Sequence, residues 1–192
     1  MPELEDLTGR TFELSFDVTS RNECFIREDG WRVGTLKLTS FRSREYTASL
    51  AGLDWRLSSN VKWSVIQDSI SFAGDPRPIA QGAVSNPCYE TMIDRTDQYS
   101  LSLDKKTGSA YWIDPHGDVV IAYSRLCRSA LPKPWIRTGA AEIFANCPIT
   151  HAPILLLLGL RHLVFGKVPS FIDCVDSMIA GMTMAIRGWT EQ

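Results

Sequence analysis

The sequence predicts a mainly β protein, an antiparallel barrel or sandwich, whose strands are followed by an almost wholly apolar helix. Short segments of alternating apolar and polar residues recur at spacings of ~8–12 residues across about residues 10–146, which is typical of such folds. From Thr150 onward the alternation gives way to an unbroken apolar run at 154–158. A length of 192 residues, 44% of them hydrophobic, suits one domain spanning residues 1–192 with a sizeable core.

Strict alternation predicts the strands of the first half. Phe12, Leu14 and Phe16 alternate with polar residues within a strand predicted over 11–19. A strand over 31–38 changes phase across Gly34-Thr35, which predicts a bulge there. Segments at 46–50, 53–57 and 61–65 are predicted to form hairpins in series, with Ser58-Ser59-Asn60 as one of the turns.

The second half repeats this organisation less evenly. A strand is predicted over 79–84, whereas residues 85–97 carry little periodicity beyond a turn signal, and their structure stays open. Alternation returns at 99–103 and 110–113, and an apolar run follows at 119–123, with turns at 104–108 and 114–118 between them. A last strand is predicted over 141–145.

The apolar segment at 150–166 predicts a buried helix. A helix that is apolar around most of its circumference needs cover on all sides. Its apolar stretch of ~12–15 residues is short of the ~20 that a bilayer requires, and Arg161 and His162 interrupt it. A membrane hairpin over 151–187 is the alternative interpretation. Residues 169–188 have apolar residues at helical spacing, which predicts an amphipathic helix packed on the body or on a partner.

Three segments resemble the tubby C-terminal-like superfamily, which includes the tubby, LURP-one-related and phospholipid scramblase families. They are Tyr99-Ser-Leu-Ser-Leu103, Trp112-Ile-Asp-Pro-His-Gly-Asp-Val-Val-Ile-Ala122 and Ala152-Pro-Ile-Leu-Leu-Leu-Leu-Gly-Leu160. The resemblance covers about residues 10–166. It implies a closed antiparallel barrel of about twelve strands around one central hydrophobic helix, and phosphoinositide or other membrane-lipid binding in some members. The helix at 169–188 is an addition to that pattern.

Charge and cysteine usage restrict the classes of function and location. A formal net charge of −2 gives no global positive field to hold nucleic acid, so no nucleic-acid partner is expected. Five scattered cysteines form no CxxC pair or zinc-ligand spacing and are interpreted as reduced thiols. The acidic N-terminus lacks the pattern of a secretory signal. We therefore expect a cytoplasmic protein, peripheral at a membrane if it binds lipid.

Candidate chemistry is sparse. Asp114, His116 and Asp118 could hold a divalent ion, but Asp-Pro and Gly between two strands indicate a turn instead. Cys147 and His151 are interpreted as a structural thiol beside a residue at the helix start. The sequence has no nucleophile elbow, dinucleotide fingerprint, P-loop or zinc-protease motif. It therefore predicts no catalytic residue, metal or cofactor and gives no basis for assigning an enzyme.

The best candidate for binding is a basic segment at residues 125–137. It carries Arg125, Arg128, Lys133 and Arg137 together with Trp135. Arginine and lysine bind phosphate headgroups, and tryptophan favours the membrane interface. The predicted function is a non-enzymatic binding or scaffold protein, whose ligand is a phosphoinositide or other anionic lipid, or a protein bound through the 169–188 helix.

A carrier or enzyme resembling a lipocalin is a further alternative. There the barrel would hold a small apolar ligand and the 151–165 helix would pack outside it.

Overall fold

The computed structural model describes residues 4–17, 22–40, 43–62, 65–85, 88–94, 97–104, 107, 109–124 and 136–165. In these residues twelve strands form one closed antiparallel barrel. Each strand pairs with the next along the chain, and β1 closes the barrel against β12. The strands are β1 Thr11–Asp17, β2 Glu23–Glu28, β3 Trp31–Ser40, β4 Glu45–Leu50, β5 Leu53–Lys62, β6 Val65–Phe72, β7 Ala80–Ser85, β8 Cys88–Ile93, β9 Asp97–Asp104, β10 Ser109–Ile113, β11 Val119–Ser124 and β12 Ile136–Ile143.

Alternation places every second side chain inside the barrel. In β1 the side chains of Phe12, Leu14 and Phe16 are buried, as the period of two predicts. The predicted bulge in β3 is confirmed one residue earlier than Gly34, because Ile26 pairs with Gly34 while Arg27 pairs with Arg32, which leaves Val33 as the extra residue. The fold class predicted from the sequence, a closed antiparallel barrel of about twelve strands, is therefore confirmed.

The predicted turn at Ser58-Ser59-Asn60 is wrong. These residues continue β5 without interruption and pair with Gln67, Asp68 and Ser69 of β6. Ser59 follows Trp55 and Leu57 on the inner face and is 7% exposed. The alternation continues through it, but with a polar residue where an apolar one was expected. The 79–84 strand corresponds to β7, and the open region at 85–97 contains β8 and the start of β9.

One helix, α1 Ala152–Leu160, continues into a π-helical turn at Arg161–Phe165. All nine residues of α1 are buried. Hydrogen bonds reach this segment from β5 and β6 on one side and from β10 and β11 on the other, which only a helix inside the barrel permits. The predicted buried helix at 150–166 is thus confirmed, with its α-helical part shorter than expected. The helix predicted at 169–188 lies outside the described residues.

The two ends of the barrel differ in how they meet the helix. At the entry end, residues 144–151 lead from β12 into α1, and His151 contacts Tyr99 near the start of β9. At the exit end, odd-numbered strands finish, and Arg161 contacts Ser59 and Asp68 within four residues of where β5 ends and β6 begins. The helix therefore runs along the barrel from the entry end toward the exit end.

Candidate functional site

The basic segment predicted as a binding site falls mostly outside the described residues. Arg125, Arg128, Lys133 and Trp135 belong to that part of the chain. Arg137 lies in β12, where its backbone pairs with Phe16 of β1. Residues 125–135 of the segment join Ser124, the last residue of β11, to Ile136, the first residue of β12. Ser124 and Ile136 both lie at the exit end of the barrel, so the connection between them begins and ends there.

The Asp114-x-His116-x-Asp118 motif forms the predicted turn. A carboxylate oxygen of Asp114 accepts backbone N–H groups from His116 at 2.9 Å and Asp118 at 2.8 Å. Gly117 adopts a φ of 94°, which favours glycine. Within the ranges that the structure describes, no three histidine, cysteine or acidic residues are placed to hold a metal ion together.

A buried polar cluster lies inside the barrel near the exit end. The Arg161 guanidinium donates to a carboxylate oxygen of Asp68 through Nη1 and to the Ser59 hydroxyl through Nη2, the latter at 2.5 Å. The Tyr89 hydroxyl donates to the same Asp68 oxygen at 2.8 Å. Asp68 is 3% exposed and Arg161 is 2% exposed. The Asp68 carboxylate and the Arg161 guanidinium therefore form a charge pair that is closed off from solvent.

The strand register builds the barrel side of this cluster. Ser59 is opposite Asp68, Asp68 is opposite Gly82, and Gly82 is opposite Thr91, so that four neighbouring strands present polar or small residues at one level. We call Ser59, Asp68, Gly82 and Thr91 the polar row. A Cβ at Gly82 would overlap the Tyr89 hydroxyl, so glycine there makes the room in which Tyr89 reaches Asp68.

The π-helical turn builds the other side. It starts at Arg161 and brings two consecutive polar residues toward the strands. The His162 ring stacks on Tyr89 with centroids 4.5 Å apart, and the Arg161 guanidinium lies 5.8 Å from the centre of the Tyr46 ring. Turns of this kind are rare and are frequently found at functional sites.

Burial and charge act against each other at Asp68. Removal from water raises the pKa of this carboxyl above its ordinary value, and the neighbouring Arg161 guanidinium opposes that rise. Burial also raises the pKa of Tyr89 well above its ordinary value. Asp68 Oδ1 and Arg161 Nε are buried without a hydrogen-bond partner among the described residues. A pair of this kind gains little net stability, because both charges have lost their hydration.

Polar contacts also fix the middle of the helix. Trp112 Nε1 donates to the carbonyl of Leu155 at 2.8 Å, and the Tyr123 hydroxyl lies 3.1 Å from the same oxygen and 3.2 Å from that of Leu156. A Cβ at Gly159 would overlap the side chains of Tyr123 and Trp112. Glycine at this position therefore permits the close approach of the helix to β10 and β11.

At the entry end, His151 is held just before α1. Its Nδ1 lies 2.8 Å from the Tyr99 hydroxyl, and its Nε2 lies 3.7 Å from a carboxylate oxygen of Asp97. Burial lowers the pKa of His151 below its ordinary value, and the nearby carboxylates of Asp97 and Asp94 partly offset this effect. These contacts fix the position of His151, the residue that precedes α1. Cys147, which the sequence placed beside it, is a buried free thiol whose pKa burial raises to about 12.

Sequence reasoning singled out neither Ser59 nor Asp68 as a functional residue. A usable signal existed, since an arginine in an otherwise apolar buried helix requires a buried acidic partner. Asp68 shares the inner face of β6 with Ile70, which makes it the natural candidate. In the sequence alone, Arg161 counts only against a membrane span.

No family model matches the chain, and searches of curated proteins and of solved structures return no significant match. The fold and the interior define a class in structural terms, a closed twelve-stranded antiparallel barrel that contains its own C-terminal helix. Within the described residues, no helix has the length and apolar character needed to cross a membrane.

Proposed function

We propose that this protein is a non-enzymatic binding or scaffold protein of the tubby-like type, which binds its partner on the outside of the barrel. The observation that carries this proposal is the position of α1, whose nine buried residues occupy the space in which a barrel carrier would hold a ligand. The lipocalin-like alternative required that helix to lie outside an open barrel, and no observation favours it.

The distribution of charge indicates which outer surface to consider. Six segments join strands at the exit end, and together they contain eight basic residues and no acidic residue. The basic residues are Arg21, Arg42, Arg44, Lys105, Lys106, Arg125, Arg128 and Lys133. Apart from Arg44, these basic residues lie outside the described residues. The strand residues that border the segments add four carboxylates and one lysine, so the sequence that joins strands at this end keeps an excess of positive charge.

The opposite end has the opposite sign. Five segments join strands at the entry end, and they contain five aspartates, Asp29, Asp75, Asp94, Asp114 and Asp118, but only two arginines, Arg77 and Arg95. A net charge of −2 for the whole chain therefore conceals a separation of charge along the barrel. Such a separation orients a protein toward an anionic surface before contact.

An anionic lipid surface is the ligand that these features support best. Phosphate headgroups attract arginine and lysine, and each basic residue near an anionic membrane contributes roughly 1 kcal/mol. The sequence after Phe165 contains the segment at 169–188 that is predicted to form an amphipathic helix, and such a helix would supply an apolar face for the lipid interface or for a protein partner. We accordingly propose a cytoplasmic protein that is peripheral at a membrane.

The test is binding to phosphatidylcholine vesicles with and without a phosphoinositide, measured by co-sedimentation. The variant R125A/R128A/K133A/R137A removes four cations of the basic segment. Its control, R27A/R32A/R56A/R77A, removes four exposed arginines located away from the exit end. We expect the first variant to bind phosphoinositide vesicles about two to three orders of magnitude more weakly than wild type, and the control to lose much less.

Equal binding by wild type and both variants would refute the assignment to the basic segment. Failure of the wild type to bind any anionic vesicle would refute the lipid assignment. The alternative, a protein partner bound through the 169–188 helix, would then be tested with a chain truncated after residue 168, which should no longer bind that partner.

A further inference from the structure

The apolar surface of α1 does not by itself define how deep the helix lies in the barrel. Residues 155–158 are four consecutive leucines, and apolar residues surround the helix on all sides. A shift by one residue moves a helix only ~1.5 Å along its axis and turns it by ~100°. After such a shift, leucine side chains would again face most of the same barrel residues, so apolar packing discriminates weakly between neighbouring positions.

The hydrogen bonds in the middle of the helix also discriminate only weakly between neighbouring helix positions. Trp112 and Tyr123 donate to main-chain carbonyl groups, and every residue of a helix offers such a group. Gly159 adds a steric preference, because only glycine permits the approach of these two rings. Among the contacts of the described helix, the Arg161 guanidinium alone pairs a unique charged side chain with a buried opposite charge.

We propose that the Asp68–Arg161 pair is a depth lock, a device that selects one axial and rotational position of the helix within the barrel. The polar row is the counterpart of Arg161 at one level of the strands, and the next level toward the entry end, formed by Leu57, Ile70, Ala80 and Ile93, is buried and apolar. A helix displaced by one residue would separate the two charges in an environment without water. Each charge would then be buried alone, which is far more costly than the loss of a leucine contact.

Energetics favour a role in specificity over a role in stability. A buried ion pair loses the hydration of both groups, and replacing such a pair by apolar residues of similar size is often neutral or stabilising. The depth lock also has an outward consequence. It fixes the position of the π-helical turn and of Phe165, with which that turn ends. This inference concerns the interior and holds whatever the exit end binds.

The experiment separates position from stability by NMR of isotope-labelled leucine methyl groups. The variant D68L/R161M replaces the buried pair by apolar side chains. Its control, D75L/R77M, removes an exposed aspartate–arginine pair that lies in the segment between β6 and β7. Far-UV circular dichroism and the urea midpoint establish in parallel that each variant is folded.

We expect the methyl groups of residues 155–158 to give a single sharp set of signals in wild type and control. In D68L/R161M we expect more than one set, or marked exchange broadening, in a barrel whose urea midpoint is unchanged or higher. A single sharp set at wild-type positions in D68L/R161M would overturn the proposal. If D68L/R161M does not fold, D68N/R161Q, which removes both charges but keeps polar side chains, is compared in the same way.

Discussion

Replacing Arg161 by methionine is expected to leave Asp68 as an uncompensated charge inside the barrel. Asp68 is 3% exposed, and without Arg161 only the neutral hydroxyls of Tyr89 and Ser59 among the described residues would still donate to it. Loss of one member of a buried pair costs about 3–5 kcal/mol. We expect R161M to lose an amount in this range at pH 7.5, measured as the free energy of unfolding in urea with tryptophan fluorescence as the probe.

The loss of stability in R161M should also depend on pH, because protonation neutralises the Asp68 carboxylate and removes the cost of burying an unpaired charge. Burial raises the pKa of Asp68 already in wild type, and removal of Arg161 takes away the main opposing influence. A carboxyl whose folded-state pKa is raised stabilises the fold at low pH, and that contribution is lost as pH rises toward the folded pKa. We therefore expect part of the lost stability to return as the pH is lowered from 7.5 to 5.5, by at most about 1.4 kcal/mol per pH unit.

The double variant R161M/D68N provides the control for this titration. It carries an amide that cannot ionise, so its difference from wild type should vary much less over the same interval. A loss below about 1 kcal/mol in R161M, with no dependence on pH, would refute the interpretation of the cluster as a buried charge pair.

Three other predictions concern the helix. Gly159→Ala should destabilise the protein by about 1–3 kcal/mol in urea, because the added Cβ overlaps Tyr123, although alanine is the better helix former; a gain in stability would contradict the close approach. Leu156→Asp should abolish soluble folded protein, since an unpaired charge in the core costs several kcal/mol, and a variant with unchanged circular dichroism would exclude a buried helix. Burial lowers the pKa of His151, so the folded state binds protons less readily than the unfolded state and stability falls below pH 6.5. His151→Gln should show a smaller fall between pH 7.5 and pH 5.0 by thermal unfolding, and an identical fall would contradict the buried imidazole.

The strands could be predicted because their burial follows local sequence. Phe12, Leu14 and Phe16 alternate with polar residues, and one buried face per strand is all that a period of two has to encode. Closure of the barrel could not be derived from periodicity, because the pairing of Thr11 with Glu142 joins residues from opposite ends of the body. Only the resemblance to a known superfamily implied it.

Prediction failed where polar or small residues face inward. Ser59 has serine and asparagine as neighbours, which predicts a turn. In the structure its hydroxyl accepts a hydrogen bond from Arg161, which lies 102 residues further along the chain. Gly82 similarly weakens the pattern of β7 so that Tyr89 can reach Asp68. These exceptions share one cause, a buried charge on the helix, which a strand-by-strand interpretation does not connect to them.

The central claim is that the barrel encloses α1 as its core, and amide hydrogen exchange of residues 152–160 tests it most directly. A helix closed inside twelve strands exchanges its amides only when the whole barrel opens. We predict that the amides of residues 155–160 exchange with the free energy of global unfolding, together with the slowest amides of β10 and β11. Exchange of these helix amides at a much lower free energy, while the strands remain protected, would show that the helix leaves the barrel independently and would contradict the account.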